Sequence, residues 1–199
     1  IIASFEASAV SYLYYADRIY QINLAIAGIA VGTVSLPVLA KAFKEKNISK
    51  ISNIQSRSLE LSLLLSIPAS IGLILASTEI VNALFGYGSF TIENINMTAL
   101  ALKYFGYGIP AFALIKILSN FFFARNNTKT PFYISTFIVL FNILISITFF
   151  NKVGFVIIPI ATSISTWIGV MIYIYLLNDK NFLLLRNYLP KNIFKIILN

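Results

Sequence analysis

Five stretches of this sequence, at about 13–40, 58–76, 97–122, 131–150 and 154–177, are apolar almost without interruption. Each is about as long as the hydrocarbon core of a bilayer is thick when wound as a helix, which takes roughly twenty residues. Backbone N–H and C=O groups in hydrocarbon must be bonded within the structure, so only helices and closed barrels span a membrane. Barrel strands would alternate apolar and polar residues over about ten positions, and these runs do not alternate. Composition agrees: 11% of the 199 residues are charged and 58% are hydrophobic, against about 25% charged in a soluble domain. The chain is therefore read as an all-α polytopic membrane protein, one transmembrane bundle over 1–199. It begins at Ile1 in mid-pattern and ends in "PKNIFKIILN", where 192–199 resembles the start of a further helix. A fragment of a longer protein is expected.

The sequence contains neither Cys nor His. Thiol chemistry, disulfides, imidazole acid–base catalysis and the commonest transition-metal ligands are thereby excluded. The net charge of +8 would suit nucleic acid, but its placement argues for topology instead. Lys41, Lys44, Lys46, Lys50 and Arg57 follow the first run, whereas 77–96 carries no basic residue and holds Glu79 and Glu93. Arg125 and Lys129 sit in the next turn, Lys152 alone in "NKVG", and Lys180, Arg186, Lys191 and Lys195 beyond the fifth run. Alternate connections thus collect eleven basic residues against one. By the positive-inside rule, 41–57, 123–131 and 178–191 are cytoplasmic loops of a multi-pass protein. Attraction to anionic membrane lipids is a by-product of that asymmetry, and no nucleic-acid partner is implied.

Local signals mark the connections. The first helix should end near Pro37 and the basic stretch after it. Within 41–57, Ile48, Ile51 and Ile54 recur every three residues, as in a short amphipathic helix lying in the interface. "FGYGSFT" marks a turn. Gly106, Gly108 and Pro110 should bend the third helix, and Pro131 suits the first position of the fourth.

Topology leaves a few ionisable residues unexplained: Asp17, Arg18, Lys103 and Lys116, with Glu60 near a cytoplasmic end. A charge at bilayer depth costs about 2.5–3.5 kcal/mol even on lenient insertion scales, so it usually faces a cavity or a partner. Arg18 can alternatively snorkel to the outer interface. Ser11, Tyr14, Arg18, Gln21, Ala25, Gly28, Gly32 and Ser35 fall on one face of a regular helix, polar at its outer end and small along its length. Such a face permits close packing or leaves space for a ligand. Asp17 points about 100° away from Arg18, and a charge favourable to the helix start explains it simply. Lys116 lies in "FALIKILSNFFF", shares its face with Asn120, and is read as cavity-facing; Lys103 is read as interfacial. Asn142, Ser146, Thr162, Ser163 and Ser165 are placed to bond between the fourth and fifth helices. Arg and Lys together suit a phosphate-bearing group. No paired carboxylates, Gly-rich phosphate loop or activated nucleophile accompany them, so binding and translocation fit better than catalysis, and no cofactor is implied.

"YYADRIYQINLAIAGIAVGTVSLPVLAK", "LFGYGSFT" and "FFARNNTKTP", in this order and spacing, resemble the bacterial lipid II flippases, the MurJ/MviN family of the multidrug/oligosaccharidyl-lipid/polysaccharide exporter superfamily. The resemblance covers about 3–190. It implies fourteen helices in two lobes, of which this chain holds the end of the seventh through the twelfth, a partial C-terminal lobe. The N-terminal lobe, with other arginines of the family, would be a partner outside this chain. The implied activity is movement of lipid II, the lipid-linked peptidoglycan precursor, across the bacterial inner membrane by alternating access, for cell wall synthesis. The substrate-binding residues that it implies are Arg18, Asp17 and Lys116, and Gln21, at the polar end of the Arg18 face, completes the expected set. Some family members resemble sodium binders, and Asn142 and Thr162 match that pattern. Ser146 stands at the carboxylate position, which weakens a hard-cation site, and no metal is expected. Another exporter of the superfamily, or a non-transporting membrane fragment of a split gene, is the alternative.

Overall fold

The computed structural model describes residues 8–180 together with Ala3, Glu6 and Phe182. Helix α1 (Ala9–Leu24), a π-helical segment (Ala25–Ala30) and α2 (Val31–Lys44) run on as one rod of 36 residues. At about 1.5 Å per residue such a rod reaches roughly 54 Å, well beyond a core about 30 Å thick. The helix does not end near Pro37. It continues to Lys44, at the cost of the one hydrogen bond that proline cannot donate, and Lys41 and Lys44 lie in its last turn, where cations offset the helix dipole.

The connection that follows is shorter than 41–57. Glu45–Asn47 make the turn, with Lys46 in the left-handed region at φ 53°. Asn47 caps α3 (Ile48–Leu75), its Oδ1 accepting from the Lys50 N–H at 2.9 Å. No separate interfacial helix exists there: the isoleucine-rich stretch is the first part of a 28-residue helix. Ile51 is buried, Ile54 half-buried and Ile48 exposed, so Ile51 and Ile54 pack into the bundle and the three do not form one interfacial stripe. Farther along, Ser58, Ser62, Ser66 and Ser70 recur every fourth residue and are all buried. Small side chains at that spacing let other helices approach closely.

A short helix α4 (Ser77–Phe85) precedes α5 (Ile92–Gly106), whose N-cap Thr91 accepts from the Asn94 N–H at 3.2 Å. Helix α6 (Ile109–Phe123) continues it after a 42° break. A break inside a span exposes carbonyls that lipid cannot satisfy, and three neighbouring side chains satisfy them here. Ser163 Oγ donates to Tyr104 O at 2.7 Å, Ser70 Oγ to Gly106 O at 2.7 Å, and Trp167 Nε1 to Tyr107 O at 3.0 Å. A Cβ added to Gly108 would lie 2.8 Å from Ser163 Oγ, so glycine is what admits the Ser163 bond.

Helix α7 (Lys129–Val153) and α8 (Ile157–Asp179), joined by one 3-10 turn, form an apolar helical run of 51 residues. They fold back on each other at Gly154, φ 72°, and Asn142 Nδ2 donates to Thr162 Oγ1 at 2.9 Å across the pair. Two spans result. The Glu6 carboxylate accepts from the Phe155 N–H at 2.7 Å, an anion at a helix start where the exposed N–H groups favour it.

Packing divides into two apolar clusters. Leu39, Ile51, Ile117, Phe121, Phe122 and Tyr173 anchor one, toward the basic connections. Tyr20, Leu73, Leu102, Phe105, Ile109 and Phe155 anchor the other, with Tyr20 stacked on Phe105 at 5.2 Å. The described residues therefore form an all-helical bundle with spans at Ala9–Lys44, Ile48–Leu75, the bent pair α5–α6, α7 and α8. The 192–199 helix start and most of 178–191 lie outside the described residues.

Candidate functional site

Position along the rod decides what Arg18 meets. It lies nine residues, about 14 Å, from the start of α1, near where one edge of the core falls if the rod is centred in the bilayer. Arg18 and Gln21 are exposed and Asp17 is half-buried. Arg18 Nη2 donates to Tyr14 Oη at 2.8 Å, and the guanidinium carbon lies 4.6 Å from the centre of the Tyr14 ring. Gln21 Nε2 donates to Asp17 Oδ2. The two adjacent opposite charges thus turn away from each other, one toward residue i−4 and the other toward i+4. Among the described residues the one ion pair is Lys50–Glu45, at 3.0 Å.

Lys116 is exposed on α6, and its stem packs at Gly28. A Cβ on Gly28 would lie 3.1 Å from Ala113 Cα and 3.5 Å from Lys116 Cγ. One turn on, Asn120 Nδ2 donates to Gly32 O at 2.8 Å. Gly28 and Gly32 therefore serve close packing of the rod against α6. Asn120, placed on the Lys116 face by spacing, is buried and committed to that contact. Lys116 meets the rod ten residues below Arg18, about 15 Å along its axis. Two cations at such different depths can reach different parts of an elongated anionic head group.

The small-residue face expected from Ser11 to Ser35 is not continuous. Ser11, Tyr14, Arg18, Gln21 and Ala25 are exposed, whereas Gly28, Gly32 and Ser35 are buried. The cause is the π-helical turn over Ala25–Ala30. One extra residue in a turn rotates everything after it by about 100° relative to a regular helix. Thr33, Val34, Pro37, Val38 and Lys41 consequently continue the exposed side, and Gly32, Ser35, Leu39 and Ala42 face the bundle.

Arg125, the arginine of "FFARNNTKTP", has a structural place of its own. Its guanidinium is held between the Phe43 and Phe182 rings, 4.0 Å from each centroid. Nη1 donates to Phe121 O at 2.9 Å and Nη2 to Phe182 O at 3.0 Å. Gln55 Nε2 donates to the same Phe182 carbonyl at 3.0 Å. Burial lowers the Arg125 pKa to about 10, which still leaves it charged at neutral pH. Loop position alone suggests a topology signal; apart from the local Phe121 carbonyl, its partners Phe43 and Phe182 come from two other segments that no local spacing reveals.

The residues matching a sodium pattern do not fit a cation well. Asn142 turns its amide N–H toward Thr162 Oγ1, Thr162 Oγ1 donates to Ile158 O at 2.7 Å, and Ser146 supplies a neutral hydroxyl. Among the described residues no cluster of three or more acidic, His or Cys side chains exists.

With this geometry in place, comparison with known proteins is informative. The family model described as "Lipid II flippase MurJ" matches residues 1–198. A probable lipid II flippase MurJ of Rickettsia prowazekii is 38% identical over 175 residues, covering 87% of this chain and 34% of that protein. Its counterpart in Rhizobium tropici is 40% identical over 168 residues, covering 84% and 32%. A solved structure of lipid II flippase MurJ in an inward closed conformation superposes with a TM-score of 0.82 at 31% identity, covering 94% of this chain and 40% of that one. The chain spans about a third of the length of these curated relatives. A match over nearly every residue, at this identity and with this fold, places the chain in the lipid II flippase MurJ family.

Proposed function

We propose that this chain is the C-terminal-lobe portion of a flippase that moves lipid II from the inner to the outer leaflet of the bacterial cytoplasmic membrane. Catalysis of bond breaking plays no part; the work is binding and translocation by alternating access. Arg18 contacts the pyrophosphate, and Lys116 provides a second cationic wall deeper along the same rod. The single observation that carries this reading is Arg18 itself: a guanidinium near the edge of the core, exposed, held on a neutral phenol and not in an ion pair. Guanidinium offers a planar fork that matches phosphate oxygens two at a time. The N-terminal lobe completes the cavity and is the protein partner of this chain. The basic segments 41–57, now the ends of α2 and α3 with the turn between them, 123–131 and 178–191 lie on the cytoplasmic side, from which the substrate enters.

The test places this chain in a full-length protein, joined to the N-terminal part of a family member, in cells whose own lipid II flippase is depleted. Arg18→Ala should abolish growth with membrane levels unchanged, and lipid II should accumulate in the inner leaflet. Normal growth of that variant would remove Arg18 from the site. Loss of growth without lipid II accumulation would point to another lipid-linked substrate.

A further inference from the structure

Asp17 and Arg18 are neighbours in sequence and opposite in charge, yet they do not pair. An arginine side chain is long enough to fold onto a carboxylate one residue away, and in a low-dielectric setting the two charges attract strongly. Helix geometry already sets their side chains about 100° apart, and the partners of each decide whether the long arginine closes that gap. The structure offers a partner for each, one helical turn away and in opposite directions. Tyr14 takes Arg18 outward, by a 2.8 Å bond to its hydroxyl and a ring 4.6 Å beneath the guanidinium. Gln21 takes Asp17 inward, through its amide N–H. Both partners are uncharged, so neither neutralises the ion that it holds. Of the five guanidinium N–H groups, the phenol engages those of one nitrogen, and the remainder of the fork is left for an anion.

We infer that Tyr14 and Gln21 are positioning residues that keep Asp17 and Arg18 separated, so that the Arg18 charge stays available to the phosphate-bearing head group. Neither Gln21 nor Asp17, both expected from the sequence to bind substrate, then touches the ligand: Gln21 acts through the carboxylate that it holds. This rests on the flippase reading only for the identity of the ligand; the separation of the two charges is a property of the chain alone.

The experiment uses the same full-length fusion, purified in nanodiscs of phosphatidylcholine, with two readouts. The first needs no ligand: the rate of Arg18 modification by phenylglyoxal, resolved from the other arginines by peptide mass spectrometry. The second is the affinity for undecaprenyl pyrophosphate. Gln21→Leu frees Asp17 to pair with Arg18, and should slow Arg18 modification several-fold and weaken binding by about tenfold, the equivalent of about 1.4 kcal/mol. Adding Asp17→Asn to Gln21→Leu should restore both, which a merely structural defect would not allow. Tyr14→Phe keeps the ring and loses the hydroxyl, and should fall between wild type and Gln21→Leu. Unchanged Arg18 modification in Gln21→Leu, or a double variant no better than the single one, overturns the inference. If modification behaves as stated but wild type does not bind the pyrophosphate lipid, charge separation stands and the flippase ligand assignment falls.

Discussion

Arg125→Ala should destabilise the bundle more than any other loss of a basic residue outside the spans. Arg125 joins the end of α6 to Phe43 on α2 and to Phe182 beyond α8, by two hydrogen bonds and two ring contacts. Bonds from a charged donor contribute about 1.5–3 kcal/mol each, and a cation on an aromatic face about 0.5–2 kcal/mol. Half-burial of the guanidinium opposes this, as its lowered pKa of about 10 shows. Phe121 O is one of the last helix carbonyls and loses its donor, while Phe182 O keeps Gln55. A net loss of about 2–4 kcal/mol is reasonable once the burial cost is deducted. For a chain of this size that corresponds to a fall in Tm of roughly 4–16 °C. Arg125→Lys retains charge but cannot reach two carbonyls while stacking between two rings, and should recover less than half. The assay is thermal unfolding in detergent, followed by the fluorescence of Trp167, the one tryptophan. Lys180→Ala is the control, because Lys180 is exposed and 5.9 Å from the Phe122 ring, and should cost little. Equal shifts in the two variants would refute the clasp and leave Arg125 a topology signal only.

Three further outcomes follow from single contacts. Gly108→Ala puts a Cβ on Ser163 Oγ, breaks the Ser163–Tyr104 bond and strands a carbonyl at the α5–α6 break; a loss of about 1–3 kcal/mol should appear in the same unfolding assay, and Ser163→Ala should reproduce most of it. Asn120→Leu removes the donor to Gly32 O and should loosen α6 from the rod, read as faster amide exchange over 109–123 with Arg18 modification unchanged. The Lys50 hydrogen bond, the largest influence, holds the Glu45 carboxyl below its usual range. A lowered carboxylate pKa contributes stability that is complete above the ordinary value and lost as pH falls through the lowered one. The small acid-side decline in Tm attributable to this pair should therefore vanish in Lys50→Gln.

The class of fold was legible because lipid leaves so few options: apolar runs of about twenty residues admit a helical bundle and little else. The break at Gly106–Pro110 was legible for the same local reason, since glycine and proline act on their own backbone. The serine ladder of α3 stands in the sequence as "SLELSLLLSIPAS" but carries no message by itself, because a hydroxyl every fourth residue signals packing only when a partner helix is known. Arg125 was harder. Its partners lie on α2 and beyond α8, 57 residues away in the case of Phe182, and nothing in the sequence near 125 encodes that distance. Arg18 stood out by charge, and its pairing with Tyr14 follows from i, i+4 spacing. The same spacing misled over the stretch from Gly28 to Ser35, because it assumes a regular helix throughout.

That failure is itself testable. In a regular helix, 100° per residue places Ser35 within about 100° of Arg18 and sends Val34 and Val38 to the opposite side, about 160° away. With one residue absorbed by the π turn at Ala25–Ala30, subsequent positions rotate by about 100°. Ser35 then faces the bundle, and Val34 and Val38 come round toward the Arg18 side. The structure has Ser35 7% exposed, Val34 72% and Val38 45%. The absence of cysteine from the sequence allows a spin label to be placed at one introduced thiol at a time, without removing any other. With this chain alone in a bilayer, where the proposed second lobe does not cover the Arg18 side, collision with dissolved oxygen, which concentrates in lipid, should be frequent for labels at Val34 and Val38 and rare at Ser35. The glycines are avoided because a side chain there meets Ala113 or Asn120. The reverse ranking would mean that the helix is regular, that Gly32 and Ser35 continue the Arg18 face after all, and that the small-residue stripe lines the ligand path. Deleting one residue within the π turn should convert the first pattern into the second. It should also free the Gly32 carbonyl from Asn120, because the turn is what directs that carbonyl at α6.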